Sequence, residues 1–179
     1  MINWTALIKK PVPPKADYNP HNKRYNIDYF MDNFISTEID EQGLPHHTLS
    51  GPRMVHYSEN DVIDVTTPYI VFYQKDISPK WSAISERGLT KGNSDRIFLI
   101  GKVVIHQLDE NGIEMDDMTI FTRNVRIELE KKYAETSQPT TMLSPSGRTD
   151  SVGARLYFNE DRVELISQVK GDYVSTGKP

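Results

Sequence analysis

An all-β fold of antiparallel strands, whether sandwich, barrel or jelly roll, is the class that this 179-residue sequence predicts. Three observations carry it. Segments rich in Val, Ile, Thr, Tyr and Phe recur at roughly 8–12-residue spacing, with turn signals between them. Apolar and polar residues alternate along these segments, so one face of each strand is apolar and the other faces water. After residue 26 no segment sustains a helical period for long, so parallel strands would have no helical crossover to join them. The expected count is roughly ten to fourteen strands.

The elements follow in order. Residues 9–24, KKPVPPKADYNPHNKR, hold four prolines and no periodic pattern. Proline fixes the backbone and donates no hydrogen bond, so residues 1–25 read as an extended linker. The domain is expected over 26–173, with a flexible tail at 174–179. The first strand, within DYFMDNFISTEI, ends at the turn DEQG (40–43). LSGPRMVHY (49–57) leads to SEND (58–61). Ile63 and Val65 share a parity; Pro68 breaks the run, and Ile70 and Phe72 take it up. Trp81 and Ala83 come next, before the turn KGNSD (91–95). In DRIFLIGKVVIHQ (95–107), Ile97, Leu99, Val103 and Ile105 fall on one parity with Gly101 between them.

DENG (109–112) turns the chain into two runs, Met118–Ile120 and Val125–Ile127, with a parity shift between them. RIELEKKYAE (126–135) is rich in helix formers, yet Val125, Ile127 and Leu129 alternate, so it reads as a strand. SPSG (144–147) precedes Ala154, Leu156 and Phe158, and NED (159–161) follows them. The closing DRVELISQVKGDY (161–173) repeats the earlier pattern. Val163, Leu165 and Val169 share a parity, and Ser167 stands where the first copy has Gly101. The opposite parity is mostly polar: Arg96, Lys102, Arg123, Arg126, Arg155, Glu164 and Lys170. Gly51, Gly88, Gly101 and Gly153 inside these runs mark bulges, bends or a close approach of another group.

Composition narrows the function classes. A net charge of −4 without a long basic run argues against a nucleic-acid partner. The absence of cysteine excludes disulfides and thiolate metal sites. The apolar stretch in MINWTALIKK is too short to span a bilayer and too polar for a signal-peptide core. His46 and His47 are adjacent, so strand alternation points them to opposite faces, where they do not easily share an ion. His21, His56 and His106 lack a second ligand at i+2 or i+4, and no metal site is expected. Glu114, Asp116 and Asp117 read as a solvated turn. No nucleophile elbow, phosphate-binding glycine loop or His-Glu-x-x-His occurs, so neither an enzyme nor a cofactor is expected.

The order and spacing of several segments resemble the LptC family of lipopolysaccharide-transport proteins, from about Tyr29 to Tyr173. They are DYFMDNFISTEIDEQG, LSGPRMVHY, TTPYIVFY (66–73), the Pro-x-Trp step at 79–81, SERG (85–88), IFLIGKVVI, TIFTRNVRI and YFNEDRVELISQVKGDY. The resemblance implies an OstA-like open β-jellyroll, V-shaped in section, whose apolar interior takes the acyl chains of lipopolysaccharide. The lumen would be lined by Phe34, Val65, Ile70, Phe72 and Trp81. Ile97, Leu99, Val103, Ile105 and Ile120 would continue it, and Leu156, Phe158, Val163 and Leu165 would complete it. Gly101 would allow tight curvature or a close lipid approach.

The family's role is to accept lipid from the LptB/LptF/LptG ATPase complex and pass it to LptA. The C-terminal edge, with Val163, Leu165, Ser167, Val169, Gly171 and Tyr173, would pair with LptA, and the N-terminal edge would meet LptF. The family works in the periplasm, tethered to the inner membrane by an N-terminal helix that this sequence is expected to lack. Two other readings stand beside it. One is a structural adaptor that regulates the ATPase with little lipid contact. The other is a carbohydrate-binding or carbohydrate-active β domain, which the lack of an aromatic cluster on the polar parity disfavours.

Overall fold

The computed structural model describes residues 26–74, 77–92 and 94–173. The expected linker over 1–25 and tail over 174–179 lie outside these residues, as does Asn93 of the KGNSD turn. Ten strands form a single sheet: β1 (Ile27–Ile39), β2 (Pro45–Tyr57), β3 (Val62–Thr66), β4 (Tyr69–Tyr73), β5 (Pro79–Lys91), β6 (Arg96–Leu108), β7 (Glu114–Glu128), β8 (Tyr133–Ser144), β9 (Gly147–Tyr157) and β10 (Arg162–Tyr173). All pairings are antiparallel. The order is that of the chain, except that β3 and β4 lie end to end between β2 and β5. The all-β, open jellyroll expectation holds.

Most strands are 11 to 15 residues long and bend near their midpoints. The bend has a backbone signature. Asn33, Thr67, Gly101, Asn124, Gly153 and Gln168 all have positive φ, and they fall along one line across the sheet. Register shifts follow the same line, between Ser85 and Arg87, Leu99 and Lys102, Phe121 and Arg126, Thr136 and Pro139, and Ser167 and Lys170. An extra residue on one strand of a pair bends that strand and sharpens its twist. The sheet therefore folds over on itself along this line, giving two layers with one interior.

Alternation survives the bend in two ways. In β6 the inward residues stay odd-numbered, from Ile97 and Leu99 to Val103 and Ile105, because the strand takes up an extra residue at Gly101. In β7 they switch from Ile120 and Thr122 to Val125 and Ile127, the shift expected from the sequence. At the break between β3 and β4 the ladder to β5 continues through Thr67 N–H to Glu86 O (3.1 Å) and Ser85 N–H to Pro68 O (3.3 Å). The segment 126–135 is not one strand. β7 ends at Glu128, a turn occupies 129–132, and β8 begins at Tyr133. That turn contains no Gly, Pro, Asn, Asp or Ser, so the usual local signals are missing.

Gly101 has φ +84°, and a Cβ placed there would overlap the Glu86 carboxylate on the neighbouring strand. Its N–H donates to Asn124 Oδ1 at 3.0 Å, which joins the bends of β6 and β7. Curvature is what this glycine supplies. Gly101→Ala is expected to cost about 1–3 kcal/mol of stability, the usual range for a strained left-handed residue. Asn124→Ala should cost roughly 1 kcal/mol through the lost hydrogen bond. Urea unfolding followed by circular dichroism measures both; an unchanged midpoint for Gly101→Ala would refute this account of the bend.

Candidate functional site

The interior is the candidate site, built from the inward parity of both layers. One layer supplies Val65, Ile97, Leu99, Val125, Ile127, Ala154 and Leu156, and the facing one supplies Ile70, Phe72, Trp81, Ala83, Val103, Ile105 and Ile120. Twelve of the fourteen lumen residues expected from the sequence are buried: Phe34, Val65, Ile70, Phe72, Trp81, Ile97, Leu99, Val103, Ile105, Ile120, Leu156 and Phe158. Val163 and Leu165 are partly buried and pack against this core. The structure divides the set in two. Phe34 and Val65 belong to a smaller cluster with Met31, Met54 and Ile63, and the other buried residues form the main core.

The two layers also meet at the strand ends remote from the bend. Phe158, just past β9, stacks on Phe72 with ring centroids 4.3 Å apart, and Trp81 lies 6.0 Å from Phe158. Trp81 Nε1–H donates to Asp161 Oδ1 at 2.9 Å, and Lys80 Nζ lies 3.2 Å from Asp161 Oδ2. Lys132 is buried in the β7–β8 turn, and its ammonium donates to the carbonyl of Tyr73. Burial lowers the Lys132 pKa below its usual value. The β7–β8 and β9–β10 turns are tied together by Phe158 N–H to Lys132 O (2.9 Å). These contacts close the mouth of the V. Lys132 and Asp161 were not legible as site residues, because each sits in a turn and meets partners 59 and 80 residues away.

Beside the mouth lies a group that strand alternation had separated. Glu38 pairs with His47 while Ile39 pairs with Pro45, so His46 is an extra, bulged residue at the start of β2. Alternation fails there, and His46 Nδ1 and His47 Nδ1 lie 3.4 Å apart. His47 Nε2 lies 3.5 Å from Glu38 Oε2. Burial, then the neighbouring His46 and Lys132, holds His47 down at about 4, so its imidazole is neutral at neutral pH.

The edges and the outer face complete the picture. Among the described residues β1 pairs only with β2, and β10 only with β9. On β10, Ser167 and Gly171 are exposed, Val169 is 53% exposed, and Tyr173 ends the ladder opposite Gly147. The outer face is less polar than alternation implied. A cavity of about 770 Å³ has Leu89, Phe98, Ile100, Val152 and Ile166 in its walls, with Arg126, Glu135 and Arg155 beside them. Among the described residues no helix is long and apolar enough to cross a membrane.

Phe158→Ala is expected to destabilise the fold by about 3–5 kcal/mol, as a buried aromatic truncation does. Phe121→Ala, at a half-exposed position, should stay within about 0.5 kcal/mol. Equal effects in chemical denaturation would mean that the mouth is not packed as described.

The chain matches the family described as "Lipopolysaccharide-assembly, LptC-related" over residues 1–174. No curated protein matches it.

Proposed function

This chain belongs to the LptC-related lipopolysaccharide-assembly family and takes part in lipopolysaccharide transport, and from that premise we propose that it is a periplasmic bridge with an apolar interior. In this reading it accepts lipopolysaccharide from the LptB/LptF/LptG ATP-driven transporter and passes it to LptA. The observation that carries the proposal is the inward apolar face. It runs through both layers as a main core and a smaller cluster, with Leu49 packed against both, and ends at two edge strands, each paired on one side only among the described residues. Each methylene of an acyl chain left in water costs about 0.8 kcal/mol, so an unbroken apolar path lets the lipid move without that penalty. No bond is made or broken. The protein supplies surface, and the ATPase supplies the energy.

The burial of the lumen adds a requirement. Leu99, Val103, Ile105 and their neighbours are 0–1% exposed. Acyl chains reach them only when the layers part, and the Phe72–Phe158, Trp81–Asp161 and Lys132–Tyr73 contacts are what must give way. The same burial favours the second reading, an adaptor of the ATPase that touches little lipid. One experiment separates the two. A photo-reactive residue at Leu99 or Val163 should capture lipopolysaccharide in the working transporter, and one at Lys102 or Arg96 should not. Cysteines at Phe72 and Phe158, joined by a short thiol cross-linker, should abolish the Leu99 adduct, and the native chain has no cysteine to interfere. No capture at Leu99 and Val163, or capture that is equal at inner and outer positions, would favour the adaptor; capture at Leu99 that persists when the mouth is locked would refute the parting of the layers.

The C-terminal edge is the proposed contact with LptA, through β-augmentation: main-chain hydrogen bonds supply affinity and alternating side chains set register. The N-terminal edge, β1, is the proposed contact with LptF. β10 carries no proline to block pairing. Val169→Pro is expected to remove LptA binding in a pull-down while the β signal in circular dichroism stays. Wild-type binding by the folded variant would exclude this edge as the docking surface.

A further inference from the structure

We propose that Glu38, His46 and His47 form a binding site for a zinc-class divalent cation at the rim of the lumen. One ligand atom from each residue lies within 4.8 Å of the others, and no other such group of three occurs among the described residues. The two imidazole nitrogens stand 3.4 Å apart. Bonds of 2.0–2.1 Å in a tetrahedral site place neighbouring ligand atoms roughly 3.3 Å apart, so this spacing is already that of a chelating pair. A hydrogen-bonded pair of rings needs one shared proton between these nitrogens; a cation held by them needs the Glu38 carboxylate, which lies 3.5 Å from His47 Nε2, to swing round to the Nδ1 side.

The placement suits a cation. His46 is the bulged residue of β2, and a bulge re-aims a side chain that alternation would send elsewhere. His47 is fixed by burial and by Phe72, whose ring lies 6.3 Å away. Glu38 comes from the adjacent strand β1 and is 41% exposed, so it can move onto the ion and leave a fourth position for water. Two imidazoles and a carboxylate select zinc, copper, nickel or cobalt over magnesium or calcium, which take oxygen ligands. The other described histidines have carboxylates beside them but join no such group of three: His56 sits by Asp28 and Asp61, and His106 by Glu114.

A bound cation would tie the end of β1 to the start of β2, next to the contacts that close the mouth. The site stands on its own geometry and does not depend on the lipid reading. The test is calorimetric titration of tag-free, chelator-treated full-length protein with zinc chloride, with cobalt(II) absorption as a second readout. About one equivalent should bind, and cobalt should give the intense visible bands of tetrahedral coordination. His46→Ala and Glu38→Gln should each weaken binding at least tenfold, and His106→Ala should leave it unchanged. His46 and Glu38 are partly exposed, so neither variant threatens the fold, and a normal circular dichroism spectrum checks that. Absence of binding, octahedral cobalt spectra, or binding indifferent to His46→Ala and Glu38→Gln would overturn the site and leave a shared proton between the rings.

Discussion

The bend halfway along the strands is the constraint on which the rest of this molecule depends. A flat meander of strands this long would expose its apolar face on one side. Folding each strand at its midpoint turns that face onto itself. The cost is local: several residues adopt left-handed torsions, and ladder hydrogen bonds are lost where registers shift. Glycine and asparagine dominate those positions because they tolerate such torsions best. The Gly101–Asn124 hydrogen bond shows how the bend is passed from one strand to the next.

Given the bend, the interior follows from packing. The core residues have almost no exposure, so the two layers fill one another's space. In the proposed bridge role, a lipid would have to compete with native contacts of similar chemistry. Exchanging one apolar contact for another costs little, which suits a surface that has to receive a ligand and release it. The polar contacts at the mouth differ in kind. Lys132 to Tyr73 and Trp81 to Asp161 are directional and buried or partly buried, so they fix where the layers meet.

The edges are the converse of the core. Among the described residues, strands β1 and β10 each pair on one side only, and such edges invite another chain. A meander closed into a barrel would have none. Openness at both ends suits the bridge role of the LptC-related family, because a continuing sheet would also continue the apolar face.

The sequence by itself determined the strands, the inward residues and most of the turns. Those signals are local: period-two alternation, and turn residues such as the DEQG, DENG and SPSG runs. Even the bend was visible, as a parity shift between Ile120 and Val125 and as a glycine inside the β6 run. Tertiary structure alone decided the rest. The 129–132 turn carries no turn residue and exists because β8 must pair with β7. His46 leaves its alternation because the β1–β2 register slips by one residue beside it. Phe158 and Asp161 meet Phe72 and Trp81 only after the sheet folds over. Each of these depends on pairing between residues distant in the chain, and alternation within one strand carries no record of its partner.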